Sequence, residues 1–246
     1  MDSGFYAAMT GLVARSQALD TAASNLANAQ TPGYRAEREY FRSALLGPDS
    51  DESQLGQTVN HYGLLGGDRI SLAQGALQTT GNPLDLALDG SGFFAVETKN
   101  GLRYTRDGSF RRSQKGFLIT QKGETVLSQQ GKPIALPPGQ VSVGGDGVIS
   151  VAGGTVGQVG VFDFAPGVEL TPEGANRYIA PKDAKPVAPK DTEVHQGALE
   201  SANQDVIQGT MDLVLMQRQF EMMQKALTVF HTEFNKIASE ELPRIS

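Results

Sequence analysis

Both ends of the chain carry large apolar residues at alternating spacings of four and three. This heptad pattern is narrower than the apolar stripe of an ordinary surface helix, and it is typical of a helix that packs against another helix. The N-terminal stripe, in which Ser16 and Ala23 occupy the remaining positions, consists of Phe5, Met9, Leu12, Leu19 and Leu26. The C-terminal stripe is unbroken, and it consists of Leu213, Met216, Phe220, Met223, Leu227, Phe230, Phe234 and Ile237.

The first helix is predicted to run from near Ser3 to near Gln30, where the sequence Thr31-Pro32-Gly33 ends it. Pro32 has no backbone N–H and disfavours helical geometry at the preceding residue, and Gly33 readily adopts the positive φ of a turn. We expect replacement of Pro32 and Gly33 by alanine to impair assembly and to leave the central domain intact.

Two asparagines, Asn25 and Asn28, lie three residues apart near the predicted end of this helix, beside Leu26. In a lone helix their amides compete for backbone partners and are mildly unfavourable. In a packed array the same amides could bridge neighbouring helices and fix their register. Two interpretations therefore stay open, a register role between helices and simple fraying of the helix end. Tyr34, just past the turn, is interpreted as a packing anchor.

The middle of the chain shows the period-two alternation of strands. In residues 84–89 the leucines share one face, while Asp85 and Asp89 share the other, and this predicts a half-buried strand with a solvated acidic face. Asn100 and Gly101 separate two β-prone runs and predict a hairpin with a type I′ turn. Similar turn signals recur through residues 70–180, which are predicted to form an all-β domain, either a strongly bent sheet or a small barrel.

These patterns predict an α+β chain in which N- and C-terminal α-helices form a coiled-coil-like helical domain around a central all-β domain. Residues 1–46 would supply the first helix and its turn, and residues 47–69 a connector. The β domain would span residues 70–180. Prolines among lysines and aspartates mark residues 181–199 as a Pro-rich connector with a final extended segment. Residues 200–246 would supply the C-terminal helix.

The amino-acid composition restricts the partners that the chain can be expected to bind. The formal net charge of −6, without a basic run, argues against nucleic acid or an anionic membrane as the main partner. The sequence contains no run of about 18 apolar residues, so we do not expect direct membrane insertion. The N-terminus lacks the pattern of a cleavable secretory signal, so we expect any export to use another route. Cysteine is absent, which excludes disulfides and thiolate metal sites, and no pattern calls for a cofactor.

An enzyme and a monomeric binding module are the rival function classes. The histidines, His61, His195 and His231, are far apart in the sequence, and no nucleophile-elbow, zinc-protease or phosphate-loop motif is present. The terminal stripes could also simply pack on the β domain. Their heptad width and their positions at the two chain ends favour instead a structural subunit without an active site.

Several motifs together resemble the bacterial flagellar axial proteins of the rod and hook. At the N-terminus these are residues 24–28, Ser-Asn-Leu-Ala-Asn, and residues 31–34, Thr-Pro-Gly-Tyr. Internal matches are residues 81–88 followed by Gly92-Phe93-Phe94, then residues 104–110, and Leu199-Glu200 leading to Asn203. Chain length and the segment between Tyr34 and Gly81 are most similar to the proximal rod members, with the distal rod members close behind.

This resemblance implies a subunit of the basal-body rod that transmits motor torque. Such a subunit would be exported through the flagellar type III apparatus and would polymerise in the periplasm with the proximal and distal rod proteins. Its assembly interface would comprise the two heptad stripes together with Asn25, Asn28, Pro32, Gly33 and Tyr34. The alternatives are a distal rod protein, a monomeric cell-envelope binding module and a peptidoglycan-acting enzyme.

Overall fold

A computed structural model describes residues 2–42, 64–189 and 191–236 of the 246-residue chain. The chain divides into two compact units. The terminal unit comprises Met1–Ala27, Glu37–Asp68 and Val206–Ser246, and the β unit comprises Asn28–Ala36 and Arg69–Asp205. Ile237, His61 and most of the predicted connector at 47–69 lie outside the described residues.

The terminal unit contains two helices and a two-stranded sheet. Helix α1 spans Asp2–Ala27, helix α2 spans Val206–Lys236, and the two helices pack against each other. Strand β1 (Glu37–Arg42) pairs with β2 (Leu64–Ile70) and also contacts α1. The prediction of an α+β chain with a helix from each end is confirmed.

Helix α1 ends at Ala27, three residues before the predicted end near Gln30. Residues 28–30 form a turn in which the Thr31 N–H donates to the Asn28 carbonyl at 2.9 Å, and the Thr31 hydroxyl donates to the Asn28 side-chain oxygen at 3.3 Å. Asparagine readily exchanges helical bonds for such local ones. The helix therefore stops at the asparagine, ahead of the proline.

The β unit consists of short strands that pair antiparallel. In chain order they are β3 (Leu77–Thr79), β4 (Leu86–Asp89), β5 (Phe93–Thr98), β6 (Gly101–Thr105), β7 (Phe110–Arg112), β8 (Leu118–Thr120), β9 (Thr125–Val126), β10 (Val141–Val143), β11 (Val148–Val151), β12 (Gly154–Gln158), β13 (Val161–Phe162), β14 (Thr171–Gly174), β15 (Arg177–Ile179), β16 (Glu193–Gln196) and β17 (Ala198–Glu200).

The strands form several sheets. The largest has the order β14-β15-β6-β5-β9-β8-β7, with β13 also paired to β5, and a separate sheet has the order β10-β11-β12. One apolar core includes Phe94 and Phe110, whose rings meet edge to face at 5.1 Å, and another includes Phe93, Tyr104 and Tyr178. The all-β prediction is therefore confirmed, and the region is built from several sheets.

The hairpin predicted at Asn100-Gly101 is present as β5 and β6, with Thr98 opposite Gly101. Lys99 and Asn100 form the turn, and the positive φ of 100° is at Gly101. A type I′ turn requires positive φ at both central residues, and neither Lys99 nor Asn100 has it. The predicted turn type is therefore wrong, because glycine supplies the left-handed residue after the turn.

Two predictions about strands need correction. Strand β4 is buried on both faces, since Ala87 is as inaccessible as Leu86 and Leu88. The final extended segment predicted after the Pro-rich connector consists of β16, which pairs with β4, and β17, which pairs with β3. Strand β16 covers one edge of β4, so residues beyond 180 complete the β unit instead of linking it to α2.

Candidate assembly interface

The buried face of α1 is lined by small residues. Gly11 lies against Met223 of α2, because a Cβ placed on Gly11 would stand 3.6 Å from the Met223 Cε atom. Ala14 and Ala18 follow Gly11 at helical spacing, and both are buried. Small side chains let the axes of two helices approach closely. We conclude that α1 meets α2 through its glycine and alanine face.

The predicted N-terminal stripe lies to one side of this face. Leu12, Leu19 and Leu26 are half-buried, and Met9 is exposed. Phe5 belongs to α1, but its side chain is not among those described. Within the chain this stripe is therefore not the centre of the helix contact, because the buried face of α1 is the one that carries Gly11, Ala14 and Ala18.

The inner face of α2 coincides with the predicted C-terminal stripe. Its most buried member is Leu227, at 8% exposure. Phe230 and Phe234 continue along α2, although their side chains are not described. The residues whose side chains define this inner face are Leu213, Met216, Phe220, Met223 and Leu227.

A second apolar stripe runs along the opposite side of α2. Its members are between 42% and 74% exposed. Arg218 and Lys225 lie on the same side and are exposed as well. Successive helical residues are rotated by about 100°, which places this stripe roughly 180° from the inner face. We call it the outer stripe, and it consists of Ile207, Met211, Val214, Met222 and Val229.

The side chain of Asn25 is buried and holds the chain as it enters β1. Its Nδ2 group donates to the Glu37 carbonyl at 2.8 Å, and its Oδ1 accepts from the Glu37 N–H at 2.9 Å. These paired bonds attach β1 to α1. In the structure the Asn25 amide thus bonds to the backbone of Glu37 within its own unit. The register interpretation expected it to bond to a neighbouring helix. Asn28 lies in the turn beyond α1.

Asn25→Ala is expected to weaken the attachment of β1 to α1. Leaving a buried polar group without its partner costs about 1–3 kcal/mol. Hydrogen exchange of the Glu37 amide measures the effect, since that amide donates to Asn25. Asn28→Ala is the control, because Asn28 lies in the turn and accepts from Thr31. Equal protection of the Glu37 amide in Asn25→Ala and in the parent protein would contradict this role.

Gly33, in the turn after α1, is built into the β unit. Its φ is 67°, and a Cβ placed on it would lie 2.3 Å from backbone atoms of both Arg106 and Asp107. Its N–H donates to the Glu200 carbonyl at 2.7 Å. The expectation that alanine at this turn leaves the central domain intact is therefore wrong, because the turn is packed against the backbone of that domain.

Pro32 and Tyr34 also belong to the β unit. The Pro32 carbonyl accepts a hydrogen bond from the Asn176 side chain at 2.9 Å. Tyr34 is buried, as a packing anchor would be. These residues hold the turn in place, so their contribution to any assembly would be indirect.

The acidic pair predicted on β4 is split between two environments. Asp85 is buried and accepts from the Thr80 hydroxyl at 2.7 Å and the Asn82 side chain at 2.9 Å, so it stabilises a turn. Asp89 is exposed, 3.7 Å from the His195 ring. The described residues contain no cluster of His, Asp or Glu that could hold a metal ion. In the same part of the chain, neither helix is apolar enough over sufficient length to cross a membrane.

Two family models and several known proteins match the chain. The N-terminal residues 5–35 match the family "Flagella basal body rod protein", and residues 87–151 match "Flagellar hook protein FlgE/F/G D1 domain". The chain is 32% identical to the flagellar basal-body rod protein FlgF of Caulobacter vibrioides over 100% of both chains. It is 33% identical to FlgF of Mesorhizobium japonicum over 90% of each chain.

The similarity extends to the related rod protein FlgG. FlgG of Bacillus subtilis is 29% identical, over 91% of this chain and 93% of its own length. The matches to FlgF have the higher identities, and the match to FlgF of Caulobacter vibrioides reaches the full length of both chains. The chain therefore belongs to the family of flagellar basal-body rod proteins and is a structural rod protein of the FlgF type.

Proposed function

We propose that this chain is a subunit of the proximal rod and that it polymerises through the outer stripe of α2. The observation that carries the proposal is the presence of two opposite apolar faces on α2. Within the described part of the chain, the inner face is covered by α1, whereas the outer stripe remains exposed. A helix with apolar residues on both sides fits between two neighbours.

The size of the outer stripe supports an interface. Fully burying a side chain such as valine, isoleucine or methionine contributes about 1.5–3 kcal/mol. Several such side chains in one contact give a total of the same order as the cost of association, about 4–15 kcal/mol. Exposed apolar residues grouped on one side of a helix are a feature of interaction sites in soluble proteins, and Arg218 and Lys225 would take part in the same contact.

The occupant that we assign to the outer stripe is helix α1 of another rod subunit. The exposed side of α1 carries Met9 and Val13, with Leu12 and Leu19 half-buried beside them. The predicted N-terminal stripe would then serve the contact between subunits. Since the two surfaces differ, the contact is heterologous and can continue into a helical tube. A tube of this kind could transmit torque.

The proposal extends to location and partners. Similarity to FlgF over the full chain supports the proximal position, with the distal rod as the alternative. The subunit would leave the cytosol through the flagellar type III export apparatus and assemble in the periplasm beside other proximal and distal rod proteins. Its role would be structural, without catalysis, and the split environments of Asp85 and Asp89 favour neither the peptidoglycan-acting enzyme nor the binding module.

Met222→Glu is expected to prevent assembly without changing the fold of the monomer. Met222 is 62% exposed, so glutamate is hydrated in the monomer, but an interface would bury its charge. Even beside Arg218 and Lys225, burying a carboxylate in a contact between helices is unfavourable, because a buried ion pair often does not recover the desolvation cost of its charges; a tenfold or greater weakening of association corresponds to at least about 1.4 kcal/mol. Sedimentation velocity of the purified chain and recovery in isolated basal bodies provide the measurements.

The matched control is Gln224→Glu, which adds the same charge to an exposed position of α2 outside the outer stripe. This variant is expected to assemble like the parent. Both variants are expected to keep the parental helical circular dichroism. Assembly of Met222→Glu at the parental level would show that the outer stripe is not the interface.

A further inference from the structure

The β unit encloses a group of three charged side chains from distant parts of the chain. The Glu200 side chain is 1% exposed and lies between two arginines. One carboxylate oxygen is 3.0 Å from Arg35 Nη2, and the other is 3.0 Å from Arg106 Nη1. The oxygen that faces Arg35 also accepts the Gly75 N–H at 2.9 Å. We call Arg35, Arg106 and Glu200 the charge triad.

The arginines of the triad bind backbone carbonyls as well. Arg35 donates to the Ala73 carbonyl, and Arg106 donates to the Gly90 carbonyl at 2.6 Å. The Arg106 guanidinium also lies over the Phe93 ring, 5.5 Å from its centroid. The triad therefore connects segments that no single hairpin brings together.

The triad is poorly suited to serve only as a source of stability. Two guanidinium groups face one carboxylate, and burial lowers the pKa of Arg106 to about 10, although Glu200 acts in the opposite direction. The Nε atoms of both arginines are buried, and among the described residues neither has a hydrogen-bond partner. Buried ion groups are frequently no more stabilising than apolar residues of similar volume.

The position of the triad in the chain points to a different role. Arg35 lies on the segment by which the chain enters the β unit after α1, and Glu200 lies on the segment that leads toward α2. The two segments are also joined by backbone. Gly33 donates to the Glu200 carbonyl at 2.7 Å, and the Asn203 side chain accepts from the Ala36 N–H at 2.7 Å.

We propose that the charge triad is a positioning device, which fixes the places where the chain enters and leaves the β unit. A misplaced segment would leave a buried charge without its partner, so only one alignment of the two segments is tolerated. Buried polar groups that specify one alignment at a cost in stability are known from helical assemblies. The consequence for rod assembly rests on the function proposed above, whereas the alignment itself is a property of the monomer.

The test removes all three charges at once, in the full chain, with Arg35→Met, Arg106→Met and Glu200→Gln. Glutamine keeps an acceptor for the Gly75 N–H, and the Ala73 carbonyl keeps its bond from Asn203. The triple variant is expected to retain the parental melting temperature within about 5 °C. Amide protection at Gly33 and Ala36 is expected to fall about tenfold or more relative to Val96 in β5, and assembly is expected to fail.

The control replaces another ion pair, Arg103 with Glu173, by methionines. This pair is bidentate at 2.7 Å and joins β6 to β14, whereas the Gly33 and Ala36 amides bond to Glu200 and Asn203. It is expected to leave the Gly33 and Ala36 amides and assembly unchanged.

Two results would overturn the positioning role, and a third would overturn only its consequence for the rod. Unchanged protection at Gly33 and Ala36 would show that the triad does not align the segments. Loss of protection in step with Val96 and with the melting temperature would make the triad a stabilising feature only. Selective loss of protection with normal assembly would show that alignment does not matter for the rod. Should the parent itself fail to assemble, the proposed function fails, while the exchange measurement still decides the role of the triad.

Discussion

Gly33→Ala is expected to destabilise the β unit by about 2–5 kcal/mol. A left-handed backbone conformation costs an L-residue about 1–2 kcal/mol, and overpacking costs about 1–3 kcal/mol more. Both apply at Gly33, because its φ is 67° and the added Cβ would lie 2.3 Å from the peptide atoms that join Arg106 to Asp107. Backbone cannot move aside as a flexible side chain can. The hydrogen bond from Gly33 to Glu200 would be strained by the same displacement.

Gly131→Ala is the matched control. Gly131 has a φ of 73°, close to that of Gly33, and nothing lies within 4 Å of the position its Cβ would take. This variant therefore isolates the cost of the backbone conformation, about 1–2 kcal/mol. Urea unfolding can be followed by near-ultraviolet circular dichroism of Tyr104 and Tyr178, which contact phenylalanine rings in the core. Equal midpoints for the two variants would mean that Gly33 is not in close contact.

Local patterns in the sequence are sufficient to predict those elements whose structure depends on residues close together in the chain. The heptad stripes predict a helix at each end, and Asn100-Gly101 predicts the hairpin of β5 and β6. Both features arise from contacts between residues that lie within a few helical turns or across one hairpin turn. The errors are of detail, such as the end of α1, where Asn28 lies in a turn and accepts hydrogen bonds from the Thr31 N–H and hydroxyl.

The strands near the end of the β unit depend on contacts that local patterns do not contain. Strand β16 pairs with β4 by placing Val194 opposite Leu88, and β17 pairs with β3. Strands of three or four residues carry too little alternation to be recognised. Prolines and lysines upstream also suggest a solvated linker. The pairing is set by long-range packing, so only the folded chain reveals it.

The charge triad escapes sequence reasoning because charged residues are usually exposed. Glu200 stands out only as part of a family motif, and nothing in its local sequence distinguishes it from a surface glutamate. The three residues carry a signal only when they are considered together. Arg35 follows the N-terminal helix segment, Glu200 precedes the C-terminal one, and Arg106 lies in the family motif of residues 104–110. Recognising the triad requires knowing that the two terminal segments meet.

The face that α1 buries is not the one that its large residues predict, because apolar size is a poor measure of burial in a close helix pair. The large residues of the predicted stripe are half-buried or exposed wherever their side chains are described, whereas Ala14 and Ala18 are buried. The contact takes small residues from α1 and large residues from α2, since Gly11 lies against Met223 and Leu227 is buried. The leucines then remain available for a second contact, which is the role proposed for them in assembly.

Leu227→Ala is expected to lower the melting temperature of the paired helices in the isolated monomer. Leu227 is the most buried member of the inner face of α2, and truncating a buried leucine costs about 2–5 kcal/mol. In proteins most of the stability of a helix comes from packing of its apolar face, so α1 and α2, of 26 and 31 residues, depend on their mutual contact. The helical circular dichroism signal of a dilute monomer should therefore be lost at a lower temperature than in the parent. The near-ultraviolet signal of Tyr104 and Tyr178 in the β unit should keep its own transition temperature.

The control for this prediction is Val229→Ala, two residues along α2 on the outer stripe, where the side chain is 61% exposed. Its truncation removes little buried surface, so the helical melting transition of the monomer should stay within about 2 °C of the parent. The two variants thus separate folding from assembly, because Leu227 serves contact within the chain and Val229 serves contact with a neighbour. If the Leu227→Ala monomer keeps the parental helical melting transition but fails to enter the rod, then the inner face forms the contact between subunits. The proposed roles of the two sides of α2 would then be reversed.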